Sequence, residues 1–123
     1  MSSVILKTSP EENLYIVWNT KNDGHEFIGN HAELADYIQW AHPKKYEILD
    51  ELLERLTETG TSSEDDTFGG WVDTGFVTQS NSYPEDYPAT PFRWVNRKNI
   101  AKHVQALEQS KWDEAYNLTE PCN

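Results

Sequence analysis

Residues 13–40 read NLYIVWNTKNDGHEFIGNHAELADYIQW, and this stretch decides the fold. Leu14, Ile16 and Trp18 alternate with Tyr15 and Val17, so both faces of the run are apolar. That pattern predicts a strand in the middle of a sheet. Asp23-Gly24 follows, a pair that supplies the positive φ of a tight hairpin turn. Residues 25–28 then predict a short returning strand. The period changes at Asn30. Asn30 with Glu33 three residues on has the form of a capping box. Leu34, Tyr37, Ile38 and Ala41 recur at helical spacing.

Upstream, VILKT predicts another strand, separated by the turn-rich SPEEN. Downstream, Pro43 ends the first helix, because proline disfavours helical geometry in the residue before it. Pro43 also suits the first position of a second helix over PKKYEILDELLERLTETG. Tyr46, Leu49, Leu53 and Leu56 form its stripe, widened by Ile48 and Leu52, and Gly60 is placed to cap its end. Glu47, Glu51, Glu54 and Arg55 are expected to face water. Residues 61–70 read as an acidic loop and 71–78 as a strand, with Gly75 marking a bulge or a close backbone approach. Residues 79–91 hold three prolines and read as a long surface loop. FRWV is a short extended piece. Asn96 then caps a helix whose stripe is Ile100, Val104 and Leu107, and Ser110 with Asp113 suggests a fresh cap for a last short helix. The expectation is one α+β domain over 1–123: a small antiparallel sheet, the N-terminal strands plus one near 71–78, packed on three to four helices.

The chain has 123 residues, 37% of them hydrophobic, with five Trp, six Tyr and four Phe. Large rings can anchor a small core, and disordered chains are poor in them. The lone Cys122 excludes an intramolecular disulfide. The start, MSSVILKTSPEEN, has no basic region followed by an apolar core, which predicts no signal peptide. No apolar run reaches the length of a membrane span. A cytoplasmic protein is expected. Net charge is −11, and residues 61–91 hold six acids with no Lys or Arg. Such a field repels nucleic acid and attracts basic partners.

Acids Glu64, Asp65, Asp66 and Asp73 lack the alternation of a calcium loop, so no metal site is expected there. Acid following Ser62 and Ser63 makes them weak phosphorylation candidates. His25, His31, His42 and His103 show no zinc-ligand spacing, and His31 and His103 are expected partly exposed. There is no nucleophile elbow and no phosphate-cradling loop, so neither catalysis nor a cofactor is expected. Arg93, Arg97, Lys98 and Lys102 crowd a helix start, where salt bridges to the molecule's own acid or to a second copy are expected. Trp71 after Gly69-Gly70, and Trp40 at a helix end, are the tryptophans expected at the surface. An exposed aromatic beside acid is a common interface anchor. Tyr83 and Tyr87, beside Glu85 and Asp86, share that character.

Three pieces, Leu14–Thr20, Thr59–Ser63 and Gly70–Gly75, resemble small acidic proteins encoded by actinobacteria and their phages. They make up 18 of the 123 residues. The resemblance implies a phage or mobile-element setting, hence a host cytoplasm, and carries over no active-site residue. In that group a longer acidic and aromatic strand follows the Trp-Asp piece; here the proline-rich loop stands in its place. The functional expectation is a contact protein. Glu64, Asp65, Asp66, Trp71, Asp73, Tyr83, Glu85, Asp86 and Tyr87 would engage a basic, nucleic-acid-binding host or defence protein, as a nucleic-acid mimic or inhibitor. Glu47, Asp50, Glu51 and Glu54 would extend the carboxylate row. The alternative is a self-associating accessory protein, a homo-oligomer joined through the basic C-terminal helix. Direct nucleic-acid binding and membrane contact are not expected.

Overall fold

The computed structural model describes residues 3–21, 24–63, 70–79 and 92–121. The fold is α+β. Strands β1 (Ser3–Lys7), β2 (Tyr15–Asn19) and β3 (Gly24–Gly29) form an antiparallel sheet in the order β1-β2-β3. Helices α1 (His31–Ala41), α2 (Pro43–Tyr46) and α3 (Leu49–Thr59) follow. Strands β4 (Gly75–Gln79) and β5 (Phe92–Asn96) lead through a 3-10 turn at Arg97–Asn99 into α4 (Ile100–Glu108), α5 (Trp112–Asn117) and β6 (Thr119–Pro121). The strands divide into two sheets rather than one, the second with the order β4-β5-β6.

The two apolar faces of β2 explain the layering. Tyr15 and Val17, with Ile5 of β1, meet Leu34 and Ile38 of α1 and Leu49, Leu52 and Leu56 of α3. Ile16 and Trp18, with Leu6, meet Phe76, Val95, Ile100 and Val104 from the second sheet and α4. The first sheet is therefore the middle layer. Fully burying each such side chain contributes roughly 1.5–3 kcal/mol. The outer edge of β1 is covered by the chain after α3: Lys7 N–H donates to Gly60 O (3.0 Å), and Ser62 N–H donates to Ile5 O (2.9 Å). Ser62 Oγ accepts from Ile5 N–H at 2.8 Å and the residue is buried, so its hydroxyl is closed to a kinase in the folded chain.

Local signals act as the sequence suggests at several ends. Asn30 Oδ1 accepts from Glu33 N–H and Glu33 Oε1 accepts from Asn30 N–H, completing the capping box. Gly60 ends α3 at φ 85°, and the Trp71 ring fills the space where its Cβ would stand.

Other expectations need correction. The second helix is two: the chain breaks at Glu47-Ile48, so Tyr46 and Ile48 turn outward instead of joining the stripe. Trp71 and Val72 form a turn, and the strand starts at Gly75, where a Cβ would lie 2.4 Å from Val95 O. Ser110 does not cap α5. It lies at φ 59°, past the end of α4, where Lys111 N–H donates to Ala106 O (2.9 Å) and Ser110 N–H to Leu107 O (3.1 Å). That pair of bonds is a Schellman ending with serine at the position glycine prefers.

Candidate functional site

A single-residue bulge organises one side of the first sheet. Val17 pairs Phe27 and Trp18 pairs His25, leaving Glu26 as the extra residue. Bulges re-aim side chains. Here the bulge keeps Glu26 on the α1 side with Phe27, whose ring stacks on Tyr37 at 4.8 Å. Glu26 Oε1 accepts from Tyr37 Oη at 2.7 Å and lies 3.0 Å from His42 Nε2. A carboxylate only accepts, so Nε2 carries the proton in that bond. Oε2 accepts from Ser3 Oγ and from Asn19 Nδ2 at 3.2 Å. Burial pushes the Glu26 carboxyl up, but the bonds from Ser3, Tyr37 and His42 outweigh it and hold it below the usual range. Burial and the Glu26 carboxylate together push the Tyr37 phenol well up. Each oxygen already has two donors, so the group is a poor general base and a strong tie between β1, β2, β3, α1 and the start of α2. The sequence reading missed it, because a one-residue register shift leaves no trace in composition.

Trp71 and Asp73 lie at an open cleft of about 430 Å³ whose wall includes Arg97 and Lys98. Arg97 donates through Nε to Gly70 O (3.0 Å), through Nη1 to Thr8 O (3.1 Å) and through Nη2 to Lys7 O (2.8 Å) and Gly60 O (3.4 Å). Its guanidinium lies 4.7 Å from the Trp71 ring centroid. Trp71 Nε1–H donates to Glu58 O at 3.1 Å. Trp71 is thus half-buried and held by the chain itself, while Val72 beside it is 70% exposed. Asp73 Oδ1 accepts from Gly75 N–H at 3.3 Å, shaping the turn into β4. Burial disfavours the charge on Arg97, and Asp73 counters it. Arg93 likewise turns inward, donating to Thr119 and lying 4.3 Å from the Tyr116 ring centroid. Of the basic group, Lys98 and Lys102 are exposed. Glu64, Asp65, Asp66, Tyr83, Glu85, Asp86 and Tyr87 fall outside the described residues.

The acid that the fold does order is on α3. Asp50, Glu51, Glu54 and Glu58 are all exposed. At 100° per residue they fall within an arc of about 100° on one helix face. Two hollows that share Asp50 and Leu53 run along this helix. One, of about 430 Å³, includes Glu54 and Glu58. The other, of about 350 Å³, reaches Tyr46, Glu47 and, on α1, His31 and Ala35. Arg55, the one cation of α3, turns away and donates to Ser62 O at 2.8 Å. Trp40 stands 81% exposed at the end of α1, as expected. His103 does not follow its expectation: it is 1% exposed. Among the described residues no three His, Cys, Asp or Glu converge as a metal-ligand set, and no helix is long and apolar enough to cross a membrane.

No family model matches the chain, and no curated protein or solved structure matches it.

Proposed function

We propose that this protein acts by contact, presenting the carboxylate row of α3 to a basic surface of a partner protein. The observation that carries this reading is the energetic position of Glu54 and Glu58. Like charges at i, i+4 cost a helix roughly 0.2–0.5 kcal/mol per pair. Asp50–Glu54 and Glu54–Glu58 are two such pairs. The last turn of α3 holds no basic residue, and acid there opposes the helix dipole. Asp50 and Glu51, in the first turn, favour the helix through its dipole, but Glu54 and Glu58 do not serve the helix that bears them, which points to a use outside the molecule. A mimic of the phosphate backbone needs such an ordered line of carboxylates. The proposed partner is a nucleic-acid-binding protein, of the host or of its defence in a phage setting, and the acidic segment 61–70 would add to the same field.

Self-association through the basic C-terminal helix has less support, because Arg93 and Arg97 are engaged within the chain and only Lys98 and Lys102 of that group remain exposed. The test compares the wild type with a Glu54→Gln/Glu58→Gln variant. Tagged protein would be used to capture partners from nuclease-treated host lysate at low and high salt. The expected outcome is a basic protein held by the wild type, lost in salt and lost in the variant. The variant should at the same time be more stable to urea by about 0.5 kcal/mol. Capture that is unchanged by the two substitutions, with the stability gain present, would remove the proposal.

A further inference from the structure

Two histidines lie where the second half of the chain packs on the first. The bulge that keeps Glu26 on the α1 side sends His25 to the other face of β3, toward α4. His103 is buried in α4, and its Nδ1 lies 2.9 Å from Ala115 O in α5. A carbonyl only accepts, so Nδ1 carries the proton and Nε2 is left as a bare lone pair. Nε2 is buried and has no hydrogen-bond partner among the described residues. A second proton on this ring would have to sit there, buried and with no acceptor among the described residues.

Among the described residues the charged groups around the pair are few. From β3 comes His25, whose Nε2 lies 3.7 Å from Glu108 Oε1 on α4. From α5 comes the Ala115 carbonyl, while Lys102, Asp113 and Glu114 are exposed. The corner that His103 closes is a small one. Ala106, Leu107 and Ala115, with Trp112 against them, form a cluster separate from the two main cores. Beyond it, β6 has three residues, pairs among the described residues with β5 alone, and is further held by Arg93. Small clusters of this kind open locally before a domain unfolds.

We propose that this corner is an acid-responsive joint: when His103 takes up its second proton, α5 and β6 separate from α4 while the first sheet and α1–α3 stay folded. Burial holds His103 below the ordinary histidine range, the Ala115 carbonyl opposes that, and a charge on His25 adds to it. Burial also holds His25 down, with Glu108 opposing. The sign follows. Groups with lowered folded-state values leave stability untouched above about pH 6.5 and take it away as pH falls below that.

The joint is tested by hydrogen–deuterium exchange of the full chain between pH 7.5 and 5, corrected for the intrinsic pH dependence of exchange. Segments within 103–121 should open by up to about tenfold more per pH unit below 6.5. Segments within β1, β2 and α3 should not change. His103→Asn keeps an N–H donor near the Ala115 carbonyl and removes the titration, so its 103–121 exchange should be flat with pH. His25→Gln leaves the His103–Ala115 bond in place and should reduce the pH dependence, which decides the matter if the Asn variant does not fold. The proposal is overturned if the substituted chains show the wild-type pH dependence, or if all segments of the wild type open together.

Discussion

Arg97 shows how one side chain can join a molecule. Its planar fork reaches carbonyls at the end of β1, at the cap of α3 and before β4, while its face stacks on Trp71. Lysine, a single point donor, cannot serve that set. Arg97→Lys should cost about 2 kcal/mol in urea denaturation, with a change in Trp71 fluorescence. Glu26 makes the matching prediction on the other side of the sheet. Its carboxyl is held below its unfolded value, so its contribution is present above about pH 4.3 and is lost as pH falls through the folded value. Glu26→Gln turns an amide nitrogen toward donors and should cost roughly 1–3 kcal/mol at pH 7. The difference from wild type should shrink toward pH 3, measured as urea midpoints across the pH series. Arg97 stands out in the sequence only as one of a basic group and Glu26 not at all, and neither role could be read there. Their partners are backbone carbonyls and side chains brought in from distant positions, and no short motif encodes that. His103 was within reach: Ile100, His103, Val104 and Leu107 follow i, i+3, i+4, i+7, and the imidazole sits on the buried stripe.

At the level of elements, what was legible is local. The capping box at Asn30, proline at the start of α2 and glycine after α3 each work through contacts within a few residues. The break between α2 and α3 was not legible, because the apolar spacing runs unbroken through Glu47 and Ile48. The ending of α4 was misread as a cap for α5, since serine serves at helix starts and this one stands after a helix. Its left-handed backbone costs a residue with a Cβ roughly 1–2 kcal/mol. Ser110→Gly should therefore raise stability by about 0.5–1 kcal/mol in equilibrium unfolding. No change, or a loss, would mean that the Ser110 side chain holds the corner in a way its backbone does not reveal.

For the whole molecule, the two apolar faces of β2 foretold a central strand, and β2 does lie between β1 and β3 with both faces covered; that its sheet is a middle layer required the fold. That the remaining strands make a second sheet was not foretold, because β4 and β5 pair across twelve intervening residues and β6 comes from the far end. The candidate surface was half legible. The acidic helix face can be counted off the sequence, but its hollows, and the inward turn of Arg93, Arg97 and Trp71, required the fold.

The clasp made by Arg97 also sets an order of events during synthesis. β1–β3 with α1–α3 are complete once residue 60 has emerged, and they can close the first core around Val17. The other face of the same sheet, with Leu6, Ile16 and Trp18, has nothing to lie against until residues 76–104 arrive. At 5–20 residues per second the ribosome takes about 2–7 s to add the residues between Gly60 and Arg97. For those seconds the nascent chain carries a half-covered sheet with a large indole on its bare side. That interval, rather than any weakness of the finished fold, is when this protein would be most exposed to chaperones, to proteases and to other copies of itself.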